Sequence, residues 1–121
     1  MYSPNHPKVW GRAKWDNFFH TAFWSPKKFT GDEPLIYQDW LKLEILTLPC
    51  MECQINAGIF LSSHTIPKFQ SRNELIQYLI QLRNHADEMT GNKNKFNIHL
   101  WKFNNLQLKY ARLAKRGNRK R

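Results

Sequence analysis

Apolar residues recur along this chain at the spacing of an α-helix, and proline or glycine interrupts the pattern at intervals. The pattern predicts a first helix over about residues 7–24 and a second helix, buried on most sides, over residues 35–48. Pro49 ends the second helix, and a short third helix is predicted to start at Cys50. No stretch of strand length alternates between apolar and polar residues, so we expect an all-α fold.

The fourth helix carries the clearest start signal in the chain. Ser71 to Glu74 matches a capping box, in which the hydroxyl and the carboxylate satisfy free amides at a helix start. An apolar face then runs to a stop at Gly91. Its members are Leu75, Leu79, Leu82, Ala86 and Met89. A further amphipathic helix is predicted beyond a polar connector, with apolar positions at Phe103, Leu106, Tyr110 and Leu113. We therefore expect a four-helix bundle with an additional C-terminal helix.

Charge divides the chain into a neutral body and a basic end. The sequence of 121 residues has a net charge of +10 and is 41% apolar, which is enough for one hydrophobic core. Nine acidic and nine Lys or Arg residues lie up to Glu88, whereas ten Lys or Arg residues and no acidic ones follow. We expect a folded domain over residues 1–96 and a basic helix and tail over residues 97–121 that can contact polyanions non-specifically. Neither a membrane span nor a secretory signal is expected, which favours a cytoplasmic protein.

Two cysteines, Cys50 and Cys53, stand at the predicted start of the third helix, directly after Pro49. A dithiol with this spacing can open and close a disulfide, and the free amides of a helix start are expected to lower the thiol pKa. The pair could instead be half of a zinc site, with His64 and His85 as possible further ligands, or it could be incidental. A thioredoxin-like context is disfavoured because no strands are predicted.

The first helix contains a tryptophan-rich segment from Trp10 to Trp15. Gly11 lies inside that helix, where glycine costs about 1 kcal/mol relative to alanine, so it predicts the close approach of another backbone or of a ligand. Trp15 and Arg12 on the same segment suit a wall for a planar aromatic cofactor. Packing in the core is the competing interpretation of these aromatic side chains.

Taken in order, these segments resemble the Erv/ALR family of FAD-linked thiol oxidases over about residues 8–93. The similarity is closest to the short forms of poxviruses and other large DNA viruses. The matching segments are Trp10-Gly11-Arg12-x-x-Trp15, Pro26, Leu48-Pro49-Cys50-x-x-Cys53, Ser71-Arg72-x-Glu74-Leu75, and Asn84 ahead of Gly91.

The resemblance implies a helical bundle that binds FAD and oxidises substrate dithiols, passing electrons through the Cys50–Cys53 disulfide and the flavin to oxygen with release of hydrogen peroxide. It implies that Cys53 lies beside the flavin and that Cys50 exchanges with substrate. The cofactor-binding positions that it implies are Gly11, Arg12, Trp15, Phe19, Trp24, Asn84, Asp87 and Lys93, with Lys95 as the alternative to Lys93. The chain departs from the family at Phe19 and Asn56, where the family has histidine, and at Arg83 and Asp87 in the signature of the fourth helix.

The resemblance also implies partners: thiol-containing client proteins or a small redox carrier protein, and a second copy in a homodimer, in the host cytoplasm or virion if the protein is viral. A different class of function is open to the same sequence. A cofactor-free helical module could use its basic C-terminal segment to bind nucleic acid or virion components.

Overall fold

The structure, a computed structural model, describes residues 6–91, which fold into four packed α-helices. They are α1 (Pro7–Phe23), α2 (Glu33–Leu46), α3 (Met51–Ser63) and α4 (Arg72–Met89). Within this range no strand forms, and the β contact is an isolated antiparallel bridge between Lys28 and Ser71. The prediction of an all-α fold with four helices is confirmed. The predicted fifth helix, the tail and the boundary between residues 96 and 97 lie outside the described residues.

Each helix start can be traced to local chemistry. The hydroxyl of Ser71 accepts a hydrogen bond from the Glu74 amide at 3.2 Å, as a capping box requires. The Glu74 carboxylate, however, accepts from the Gln70 amide at 3.1 Å, one residue before the position that the motif predicts. At α1, a ring nitrogen of His6 accepts from the Lys8 amide at 3.1 Å. Both devices satisfy amides that a helix start leaves free.

Helix α2 begins two residues earlier and ends two residues earlier than the sequence pattern predicts. Pro34 lies in its first turn, where the missing amide hydrogen has no helical partner to lose. The Glu33 carboxylate accepts a hydrogen bond from the Thr30 amide at 2.9 Å and so fixes the preceding turn. Glu33 and Pro34, which lie before the predicted start at residue 35, therefore already belong to the helix.

The prediction that α2 is buried on most sides is wrong. Leu41 and Ile45 face the core and are buried, but Ile36 and Leu43 are exposed. A helix at the edge of a four-helix assembly has neighbours along one stripe only, so its second apolar set stays on the surface. Met89, predicted on the buried face of α4, is exposed in the same way at the end of that helix.

The core lies mainly between α1 and α4. Residues of the loop before α2 and of the loop before α4 are also buried in it. Side chains in such positions each contribute about 1.5–3 kcal/mol by leaving water. Those that are fully buried include Phe19, Leu41, Phe69, Leu75 and Leu79. Trp15, Trp40 and Leu48 are partly buried and pack against this core.

Contacts between α1 and its neighbours define the direction of each helix. Phe18 of α1 meets Trp40 of α2 edge-to-face at 5.8 Å, and Lys14 pairs with Glu44, so α1 and α2 are antiparallel. Because α2 is antiparallel to α1, the end of α2 and the start of α3 lie beside the first half of α1.

Helix α4 is also antiparallel to α1. The Arg72 guanidinium at the start of α4 donates to the Ser25 carbonyl at 2.8 Å, just after α1 ends, while Arg83 further along lies over Trp15. His85 near the end of α4 contacts the Asn56 carbonyl in the first half of α3 at 3.0 Å. The first half of α1, the end of α2, the start of α3 and the end of α4 thus share one end of the bundle, which we call the cysteine end.

Candidate functional site

The two cysteines meet at the start of α3, as the sequence predicts. Cys50 is the N-cap residue, and its sulfur accepts a hydrogen bond from the Cys53 amide at 3.2 Å. Both side chains are free thiols and both are partly buried. The preceding connection is held by the Gln54 side-chain amide, which donates to the Leu48 carbonyl at 2.7 Å. The dithiol therefore lies on a defined helix start with partial access to solvent.

The pKa of Cys53 runs opposite to the sequence expectation. Burial, followed by a hydrogen bond and charge repulsion with Cys50 and by the charge of Glu52, raises its pKa from 9.0 to about 12. A backbone hydrogen bond lowers it, but by less than the other causes raise it. The prediction that helix amides lower the thiol pKa is thus wrong for Cys53, because the amides compete with burial and with a second sulfur beside it.

The zinc interpretation finds no support in residues 6–91, where no group of three His, Cys, Asp or Glu side chains could hold a metal ion. His64 caps the far end of α3 and stacks on Phe60 with 4.4 Å between ring centroids. Thirteen helical residues separate it from Cys50, a distance of about 20 Å. His85 contacts a backbone carbonyl rather than a thiol.

Trp15 stands at the centre of the predicted cofactor wall, and it also packs in the core. Its ring meets Phe18 edge-to-face at 5.4 Å and stacks near Phe19 at 6.2 Å. The Arg83 guanidinium lies 5.1 Å from the centre of the Trp15 ring. The structure thus shows Trp15 packed in the core, and a planar group could use the face under Arg83 only if the guanidinium moved aside.

Arg83 and Asp87 form the polar part of this region on α4. Arg83 Nε donates to Asp87 Oδ1 at 3.3 Å, an i,i+4 ion pair. Asp87 Oδ2 is buried, and among the described residues no group hydrogen-bonds it. A buried acceptor without a partner costs about 1–3 kcal/mol, and an N–H or O–H donor of a ligand would recover that cost.

Gly11 and Arg12 occupy the first half of α1, at the cysteine end. No described atom lies within 4 Å of the place where a Cβ at Gly11 would be, so the predicted close approach of another backbone is wrong for the residues described. Arg12 is exposed, which leaves its guanidinium accessible to an anion. Open space at Gly11 and an accessible cation beside it leave room for a ligand along α1.

The other predicted cofactor residues are spread more widely. Phe19 is fully buried, and its neighbours would have to move before a ligand touched it. Trp24 is exposed at the C-terminal end of α1, about 13 Å along the axis from Trp15, and is not gathered with the rest. Asn84 lines a shallow depression of about 390 Å³ between α3 and α4. Lys93 and its alternative Lys95 lie outside the described residues.

In the sequence, Arg83 stands out only as a departure from a family signature. The structure shows that its guanidinium lies over the Trp15 ring. The spacing of Arg83 and Asp87 could have predicted their ion pair. No sequence signal could have predicted the contact with Trp15, because it depends on the packing of α1 against α4.

Two side chains at the cysteine end fit parts of a flavin dinucleotide. The accessible Arg12 guanidinium suits its diphosphate, and the buried Asp87 Oδ2 suits one of its N–H groups. The Trp15 ring packs on Phe18 and Phe19 and is covered by Arg83, so it offers a planar group no open face in this arrangement. The dithiol stands at the same end of the bundle.

Comparison of the chain with protein-family models, with curated proteins and with solved structures finds no match. The described helices are also too short or too polar for any of them to cross a membrane.

Proposed function

We propose that the protein is a FAD-dependent thiol oxidase that forms disulfide bonds in substrate dithiols. The observation that supports this most is that two groups lie toward the same end of the bundle. One group is the dithiol Cys50–Cys53, and the other consists of side chains on α1 and α4 with the chemistry to hold a flavin. The predicted residues come from three helices far apart in the sequence, so nothing in the local pattern required them to meet.

The chain's own part of the reaction is thiol–disulfide exchange. A substrate thiolate attacks the Cys50 sulfur of the Cys50–Cys53 disulfide, and the Cys53 sulfur leaves with the bonding electron pair. The second substrate thiol, as its thiolate, then attacks the substrate sulfur of this mixed disulfide and releases Cys50. The substrate is oxidised to a disulfide and its two electrons pass to the cysteine pair. The two protons that the substrate thiols release to solvent are balanced by protonation of the Cys53 and Cys50 thiolates as they leave.

The two cysteines are suited to unequal roles in this exchange. Cys50 precedes the helix and lies next to the exposed Met51, where a substrate sulfur can approach. Cys53 lies on the side of α3 that carries the buried residues Ala57 and Phe60. The raised pKa of Cys53 slows its departure as a thiolate, so the exchange requires a neighbour that stabilises the thiolate.

FAD, when bound, supplies a two-electron acceptor for the reduced pair and passes the electrons to oxygen, giving hydrogen peroxide. Arg12 and Asp87 are the described residues that would hold it, and Trp15 would join them if Arg83 moved aside. Asp87 would accept a hydrogen bond at Oδ2, and the Arg12 guanidinium would pair with phosphate.

The test is the colour and the turnover of the purified protein. We expect flavin absorbance that survives gel filtration, oxygen uptake on addition of dithiothreitol, and peroxide formed in equal amount to disulfide. Cys50→Ser and Cys53→Ser should each abolish turnover, whereas Ser63→Ala, an exposed change at the far end of α3, should not. A colourless protein that takes up no oxygen with added FAD contradicts the proposal.

The basic C-terminal segment favours a second, compatible activity. Ten Lys or Arg residues and no acidic residue follow Glu88, so this part of the chain should bind polyanions such as nucleic acid with strong salt dependence. A cofactor-free binding module would have this property alone. Retention on heparin in a colourless protein would favour the module over the oxidase.

A further inference from the structure

Helix α3 is apolar on the face that points away from the bundle as well as on the face that packs against it. Met51, Ile55 and Ile59 recur every four residues and are 77%, 58% and 51% exposed. We call these three residues the α3 apolar stripe. Ala57 and Phe60 on the opposite face are buried. A contiguous row of exposed apolar side chains on a helix is typical of a surface that binds a partner.

The stripe begins beside the sulfur that a substrate thiol attacks. Met51 directly follows Cys50, so their Cα atoms are about 3.8 Å apart. In a mixed disulfide, the Cα atom of the substrate cysteine lies within about 7 Å of the Cα atom of Cys50. A polypeptide substrate joined to Cys50 therefore runs close to Met51. If its chain continues along α3, it meets Ile55 and Ile59 in turn.

The spacing of the stripe suits an extended polypeptide. Neighbouring members of the stripe are four residues apart, which is a rise of about 6 Å along the helix axis. In an extended chain, side chains on one face recur every second residue, about 7 Å apart. Side chains at the second and fourth positions from the substrate cysteine can thus contact the stripe while the cysteine stays at Cys50.

The charge of α3 adds a second preference. Glu52 is exposed and flanks the stripe, because it lies three residues before Ile55 on the same helix. Helix α3 holds no basic residue, and within residues 6–91 no cation pairs with Glu52. A lysine or arginine near the substrate cysteine would complement this carboxylate, whereas a carboxylate there would be repelled.

We propose that the α3 apolar stripe binds the substrate polypeptide as an extended segment, with apolar side chains at alternate positions from its reactive cysteine and a basic side chain beside Glu52. This inference rests on the proposed thiol oxidase and names the class of substrate that it takes. The substrate is a polypeptide that presents its cysteine in an unfolded, apolar and basic segment. The stripe selects which polypeptides reach Cys50 and takes no part in the exchange of sulfur.

The experiment measures, without flavin, how fast Cys50 forms a mixed disulfide with two peptides. In Cys53→Ser, Cys50 is the only cysteine of the chain. Each peptide carries one cysteine bonded to thionitrobenzoate. The Cys50 thiolate attacks the peptide sulfur, and thionitrobenzoate leaves with the bonding electron pair and is measured by its absorbance. One peptide has leucine at the second and fourth positions on both sides of its cysteine, and the other has serine there.

We expect the leucine peptide to react at least about tenfold faster than the serine peptide, because two leucines leave water at the stripe. Ile55→Asp in the same Cys53→Ser chain should reduce this ratio to below about threefold by placing a carboxylate in the apolar contact. Ile59→Asp is the second variant if Ile55→Asp loses helical circular dichroism. Ile36→Asp, at a position 55% exposed on α2 and distant from the cysteine end, is the matched control and should keep the ratio.

A second pair of peptides tests the role of Glu52. With lysine three residues from the cysteine, the leucine peptide should react faster than with glutamate at the same position. This difference should shrink in Glu52→Gln and at high salt. The comparison of two peptides on one protein cancels any change in the reactivity of Cys50 itself. A difference that Glu52→Gln leaves unchanged would contradict this part of the proposal.

Equal rates with the leucine and serine peptides would overturn the proposal, as would a preference that the substitutions on the stripe leave unchanged. A stripe that is covered by a second copy or by residues 92–121 would give such equal rates. The assay also separates this inference from the proposed oxidase, because it needs no flavin. A native chain that oxidises no dithiothreitol, while Cys53→Ser keeps the peptide preference, would contradict the oxidase and support the binding of polypeptides on the stripe.

Discussion

The reactivity of Cys53 gives the sharpest check on the geometry of the dithiol. With a pKa of about 12 the thiolate fraction of Cys53 at pH 7 is about 10⁻⁵, against about 10⁻² for a thiol with the ordinary value of 9.0. Alkylation proceeds through the thiolate, whose nucleophilicity rises with its pKa, so iodoacetamide should modify Cys53 of the reduced protein roughly 30- to 60-fold more slowly than an unperturbed thiol. Rates measured by mass spectrometry of the cysteine peptides should rise tenfold per pH unit from pH 6 to 10.

Removing the neighbouring sulfur separates the causes of this shift. Burial is the largest cause and the interaction with Cys50 the next, so Cys50→Ala should speed the alkylation of Cys53 without bringing it to the rate of an unperturbed thiol. Glu52→Gln should have a smaller effect in the same direction. If Cys53 titrates at or below pH 9 in the reduced, flavin-free chain, the helix amides outweigh burial and this reasoning is refuted.

The proposed oxidase activity adds a condition to the same measurement. Cys53 has to leave as a thiolate during exchange, so loading with FAD should lower its pKa. In Cys50→Ser loaded with FAD, a long-wavelength absorbance band from a thiolate stacked on oxidised flavin should titrate with a midpoint below that of Cys53 in the flavin-free variant, and Cys53→Ser should lack the band. A band in Cys53→Ser but not in Cys50→Ser would reverse the two assigned roles.

Four further outcomes follow from particular contacts. Trp15→Ala should destabilise the fold by about 3–5 kcal/mol and release flavin, with added FAD recovering part of the melting temperature; a melting temperature of the native protein that ignores FAD would contradict this. Ser71→Ala should cost about 1 kcal/mol in urea unfolding through loss of the cap, while Ser71→Asp should cost less. Tyr78→Phe should lower the free energy of unfolding by about 1 kcal/mol, because it deletes the 2.6 Å hydrogen bond from the Tyr78 hydroxyl to the His64 carbonyl. Burial raises the pKa of Tyr78 from 10.0 to about 12, so the stability that its neutral hydroxyl contributes should be complete below pH 10 and lost as the pH rises to 12. The variant should lack this decline. Removal of residues 115–121 should leave dithiol oxidation unchanged and weaken retention on heparin at low salt; loss of turnover would make the tail part of the site.

The helices were predictable because their signals are local. Helical spacing, the Ser71 cap and the break at Pro49 are all present in short windows of sequence. The exposed faces of α2 and α3 were not predictable, because apolar spacing states which residues share a face and not whether another element covers it. Leu43 satisfies the same periodicity as the buried Leu41, and only the arrangement of the helices separates them.

The candidate site likewise has features that the local sequence predicts and features that depend on how the helices pack. The placement of Cys50 at a helix start came from the proline and the helical pattern, and the structure confirms it. The direction of the Cys53 pKa shift depends on burial and on a second sulfur, which spacing alone does not weigh. The contact of Arg83 with Trp15 joins residues 68 positions apart and depends entirely on the packing of two helices.

The most direct test of the central claim is the stoichiometry of one turnover experiment on the purified full chain. Protein reconstituted with FAD and freed of excess cofactor should carry one flavin per chain and consume one oxygen for each dithiothreitol disulfide formed, and Cys50→Ser should bind the same flavin without turnover. Native protein that retains no flavin after reconstitution would contradict the assignment of this bundle as a thiol oxidase. A Cys50→Ser variant that oxidises the dithiol as fast as the native protein would contradict it as well.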